Sequence, residues 1–221
     1  MIRLSATVVS VVFHPLLMLT YMLLLMLVVN PYMFGYTHIT EADNLILMVF
    51  LTSALIPVIA ILVMKGIGWV HSFQMTDRHE RIGPYIVTAF LYLTLYLHLN
   101  KARAFPDLLL IATLGTVIAL FAGFFVNNFR KISMHAMAAG GFLGLVGLLY
   151  LRFSTEQFIL PVPGLANLEV PTLYVLYGAI LLTGGICTAR LIGAKHARDE
   201  VYMGLFLGLT CMLIASMIRL D

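Results

Sequence analysis

Seven stretches of 15 to 26 residues in this 221-residue chain contain no Asp, Glu, Lys or Arg: 4–29, 45–64, 85–99, 108–126, 134–151, 171–189 and 201–218. A helix rises 1.5 Å per residue and the hydrocarbon layer is about 30 Å thick, so about 20 apolar residues cross it. The stretches take up 135 of the 221 residues and leave no room for a separate soluble domain. Charged residues make up 10% of the chain, against about 25% in soluble domains. The expected fold is therefore all-α: a polytopic transmembrane helix bundle of about seven spans, with residues 1–221 forming one integral membrane domain. A multi-pass protein of the bacterial inner membrane is the matching location.

The first stretch is too long for a signal peptide and lacks a small-residue cleavage site before Asn30–Asn44, so it reads as a retained helix. Pro15 and Pro57 are expected to kink the first two spans. The third span, with 15 charge-free residues between Pro84 and Asn100, is expected to be short or tilted. Trp69 to Arg81 mixes apolar and charged residues as an interfacial helix does, with Trp69 and Phe73 one turn apart. Residues 152–170, with Pro161, Pro163 and Gly164, read as an extended connection. Gly140, Gly141, Gly144 and Gly147 in the fifth span suit close helix packing.

Cys187 and Cys211 lie inside apolar stretches, which argues against a disulfide framework and leaves too few soft ligands for zinc. The 13 basic residues form no aromatic-interleaved stripe, which excludes a nucleic-acid partner. Threading seven spans instead puts the N-terminus and loops 65–84, 127–133 and 190–200 on one face. That face, the site face, carries nine Lys and Arg against four on the other, with His71, His79, His135 and His196. Arginine forks bind phosphate oxygens bidentately and imidazole can attack phosphorus or move a proton. The same excess also follows from the positive-inside tendency and leans the site face to the cytoplasm.

Spacing makes the phosphate reading sharper. In Ala189-Arg190, five residues, His196, three residues, Glu200, the last pair sits one helical turn apart if 196–200 opens the last helix. Glu200 can then accept the Nδ1 proton and leave Nε2 of His196 as a nucleophile. Lys131-Ile132-Ser133-Met134-His135 opens the fifth span, where Ser133 suits an N-cap and the helix start suits an anion. His14, beside Pro15, reads as a packing or kink-satisfying histidine.

These residues resemble two motifs of the type 2 phosphatidic acid phosphatase superfamily of membrane lipid phosphatases. Its third motif is serine-arginine, five residues, histidine, three residues, aspartate; its second is proline-serine-glycine-histidine. The resemblance covers roughly 131–204. It implies that His196 becomes phosphorylated, Glu200 orients it, His135 protonates the leaving group, and Arg190 and Ser133 hold phosphate, with no metal and no cofactor. The family's first motif has no literal match; Arg78 and Arg81 are assigned to phosphate from face and charge alone, and Lys131 from its place beside Ser133 at the start of the fifth span. The substrate implied is a membrane lipid phosphate or polyprenyl diphosphate. The rival readings are a non-catalytic transporter or binding protein for a phosphorylated lipid, and a structural subunit whose basic loops only set topology.

Overall fold

A computed structural model describes residues 2–71, 79–154, 156–160, 167–193 and 196–220. Helices α1 (Ile2–Val12) and α2 (Pro15–Val29) are followed by short 3-10 turns and then by α3 (Asp43–Phe50). A π-turn (Leu51–Leu55) joins α3 to α4 (Ile56–Gly66) as one long rod. Next come α5 (Ile82–Ala102), α6 (Asp107–Phe129) and α7 (Met134–Leu148). Strands β1 (Gln157–Leu160) and β2 (Leu168–Pro171) precede α8 (Thr172–Ile192) and α9 (Arg198–Leu220). Six helical segments are long and apolar enough to cross a membrane, and the bent α1–α2 pair makes a seventh if counted as one span. The outward faces carry exposed Val63, Phe125, Leu151 and Leu181, as a lipid-facing surface does.

The first span breaks sharply. Proline has no N–H and its ring clashes with the preceding turn, and the residue before it is pushed to extended backbone. His14 accordingly has φ −66° and ψ 138°, Pro15 starts α2, and the two helices meet at a 64° bend. α1 then turns aside to pack on α8.

Pro57 produces no such break. Its missing N–H orphans the Ser53 carbonyl one turn back, and the π-turn just before it absorbs the misfit. The Tyr92 hydroxyl, buried on α5, donates to that carbonyl at 3.0 Å, with the Leu16 carbonyl a longer alternative at 3.4 Å. A neighbouring helix thus re-satisfies the freed backbone group, which is why proline is tolerated inside a bundle.

Three sequence expectations change. α5 runs 21 residues rather than 15, because Pro84 sits in its first turn, where its missing N–H costs nothing, and because the polar end at Asn100 and Lys101 continues the helix to Arg103, at φ +50°. The described part of Trp69–Arg81 is not an interfacial helix. Gly68 at φ +82° closes α4, Trp69 N–H donates to the Met64 carbonyl at 2.9 Å, and His79–Arg81 form one 3-10 turn. Phe73 lies outside the described residues. The extended connection after α7 pairs into an antiparallel hairpin, with Gln157 opposite Pro171 and Leu160 opposite Leu168.

The tightest helix crossing sets the site. A Cβ added to Gly140 would collide with the Leu205 carbonyl, and one on Gly208 with the Met137 carbonyl; one on Gly204 would lie 2.6 Å from the Ser133 carbonyl. Backbone therefore meets backbone along α7 and α9, as small residues permit in membrane bundles. Gly147 has open space around it and takes no part in the crossing.

Candidate functional site

The α7–α9 crossing brings two helix starts side by side. Ser133 caps α7, its Oγ accepting the Ala136 N–H at 3.5 Å, and its own N–H donates to the Glu200 carbonyl at 3.2 Å. α9 opens at Arg198, two residues later than the motif suggested, and from its first turn the Glu200 carboxylate lies 2.5 Å from Nδ1 of His196, which precedes the helix. That contact places the His196 proton on Nδ1 and leaves the Nε2 lone pair free. The side chain of His196 is 5% exposed. Burial lowers its pKa below the ordinary imidazole range; the Glu200 bond opposes the shift, and the charges of Arg190 and Arg81 add to it.

His135, in the first turn of α7, has its Nε2 2.9 Å from the Ser10 carbonyl of α1. A carbonyl only accepts, so Nε2 carries a proton and spends it there. The hydroxyl of the same Ser10 accepts from Nη1 of Arg190 at 3.0 Å. Arg190 is buried at the end of α8, and its Nε has no hydrogen-bond partner. Arg81, buried at the start of α5, donates to the Ile132 carbonyl at 3.2 Å.

These side chains line one cavity of about 150 Å³: His135, Arg190, His196 and Arg81, together with His14 at the α1–α2 break and Thr88 of α5. A water's share of liquid is about 30 Å³, so the space admits a considerably larger group. Among the described residues no carboxylate lines it; Glu200 sits behind His196. Arg190 and Arg81 both border this cavity, and guanidinium N–H groups suit the oxygens of an anion. A smaller apolar cavity of about 50 Å³ adjoins it and shares Pro15, Leu16, Thr88 and Met134.

Of the residues expected on phosphate, Arg190 and Arg81 reach the cavity, while Ser133 and Lys131 do not line it. Ser133 is wholly buried and occupied as a cap. Arg78 lies outside the described residues. Two participants went unread in the sequence. Ser10 carries no motif and joins the site only because α1 bends back. His14 does have a signal, a histidine directly before an intramembrane proline, and it serves the kink as expected: its Nδ1 accepts the Leu16 N–H at 3.4 Å. Its ring also packs edge-on against His135, with centroids 5.6 Å apart.

No protein-family model, curated protein or solved structure matches this chain.

Proposed function

We propose that the protein is a membrane-embedded lipid phosphate phosphohydrolase that works through a phosphohistidine at His196. The observation that carries this reading is the His196–Glu200 pair opening on the same cavity as two buried arginines. The Nε2 lone pair of His196 forms the P–N bond as the bond from phosphorus to the lipid-side oxygen breaks. His135, when it carries a second proton, gives it to the departing oxygen. Water then attacks phosphorus, the P–N bond breaks, inorganic phosphate leaves, and a proton from water restores His135. Arg190 and Arg81 hold the equatorial oxygens while charge develops on them. The substrate class is a lipid phosphate monoester or a polyprenyl diphosphate, and the apolar cavity beside the site suits the first carbons of its tail.

A second reading follows from the Ser10 carbonyl. With its Nε2–H held there, a neutral His135 has no proton to give, which favours a binding or transport protein for a phosphorylated lipid that retains the pocket without turnover. Phosphate release from a panel of lipid phosphates by detergent-purified protein in excess chelator separates the two. Turnover supports the hydrolase; saturable binding without turnover supports the second reading.

A further inference from the structure

Three imidazoles line the cavity, and the proposed mechanism uses two of them. We infer that the third, His14, donates a hydrogen bond from Nε2–H to the phosphoryl group held in the cavity. The inference rests on the phosphate reading of that site.

The helix cap settles the tautomer. A backbone N–H can only donate, so the bond from Leu16 N–H puts the lone pair on Nδ1 of His14, and the neutral ring then carries its proton on Nε2. In their neutral forms neither of the other rings has an N–H to spare. His135 commits Nε2–H to the Ser10 carbonyl and His196 commits Nδ1–H to Glu200. Among the described residues the His14 Nε2 has no hydrogen-bond partner. The residue is exposed while also lining the cavity, so it stands at the mouth, where an entering group meets it. Inside, the unpartnered Nε of Arg190 offers a second N–H. An anion with several oxygens, such as a phosphoryl group, answers both. The role needs no charge on the ring, since a neutral imidazole held in one tautomer is a donor of fixed identity. The break at Pro15 explains how the first helix supplies it: an unbroken helix would have no free N–H at residue 16 to set the ring.

Two substitutions separate capping from donation. In His14→Asn the amide oxygen can occupy the place of Nδ1 and keep the cap, while the donor at Nε2 is lost. In His14→Gln the longer amide reaches the place of Nε2 and restores a donor, at the expense of the cap. Titration of detergent-purified protein with inorganic phosphate is expected to show binding weakened roughly tenfold or more in His14→Asn, the scale of one hydrogen bond to a charged group. Its thermal midpoint should stay at the wild-type value. His14→Gln should recover binding to within about threefold, with a lowered midpoint. Wild-type affinity in His14→Asn, or an equal loss in both variants, overturns the inference.

Deuterium exchange at the histidine C2 positions of the unaltered protein, mapped by mass spectrometry, covers the case in which neither variant folds. His14 should exchange in the free protein and be protected by inorganic phosphate; equal exchange with and without phosphate overturns the inference. Lipid phosphate turnover is scored separately. Protection of His14 without turnover keeps this inference and rejects the hydrolase, whereas turnover without protection does the reverse.

Discussion

At the scale of residues, the proposed site divides labour between rings of one chemistry through what each ring is bonded to. A nucleophile and a proton donor fail differently. His196→Ala is expected to abolish turnover and to leave no phosphorylated protein in a rapid-quench experiment; a phosphoenzyme trapped in that variant would assign the nucleophile elsewhere. His135→Ala is expected to slow monoesters, whose alkoxide leaving group needs a proton, far more than diphosphates, whose leaving phosphate does not. Equal losses on both would remove the acid role. Protonation of His196 itself is the third test. Its unfolded ring titrates near 6.5, and burial sets the folded value lower. Between the two values the unfolded chain binds the extra proton, so stability present above 6.5 is lost as the pH falls toward the folded value. The Nε2 lone pair should correspondingly persist at pH 6, as nitrogen NMR of labelled histidine can show, with the signal assigned by its disappearance in His196→Ala. A ring already charged at pH 6 would contradict it.

At the scale of elements, what could be read in the sequence was whatever is local. Charge-free length marked the helices, and the spacing of four brought His196, just before α9, against Glu200 in its first turn. What escaped depended on partners distant in the chain. Pro15 and Pro57 look alike in sequence, yet one breaks its helix by 64° and the other does not, because Tyr92 of α5 is there to take the orphaned Ser53 carbonyl. Tyr92→Phe removes that donor inside the bundle and should cost about 1–3 kcal/mol, the cost of a buried unsatisfied carbonyl. The glycines show the same dependence on partners. Gly140 and Gly147 occupy one helix with one composition, but only Gly140 faces the α9 backbone. Gly208→Ala, which drives a methyl into the Met137 carbonyl, should exceed the roughly 1–3 kcal/mol of ordinary overpacking. Gly147→Ala should be neutral or stabilising by up to about 1 kcal/mol. Thermal unfolding in detergent compares all three, and a harmless Gly208→Ala would show that α7 and α9 can separate without loss.

At the scale of the whole molecule, the two ends of α2 fix how the chain threads. It begins at His14, on the cavity with His135, Arg190 and His196, and ends at Asn30, on a groove of about 960 Å³ shared with the strand Gln157–Leu160 at the far end of α7. Its fifteen residues rise about 22 Å between the two poles, and the bent α1–α2 pair together is long and apolar enough to count as one span. Counted as one span, that pair brings the α3–α4 rod and α5 to α9 to seven, and the C-terminus is then expected opposite the site. Which face looks to the cytoplasm then depends on which cations were free to orient the chain. Arg81 and Arg190 are buried and line the cavity, and the proposed phosphate role would remove them from the topogenic count. Setting them aside leaves seven Lys and Arg on the site face against four on the other, an excess from which a cytoplasmic site face is expected. A reporter active only outside the cytoplasm, fused after Asp221, is expected to be active. Activity of a cytoplasm-only reporter at that position would invert the molecule, put the cavity on the outer face, and shift the substrate it could meet toward a carrier-lipid diphosphate presented there.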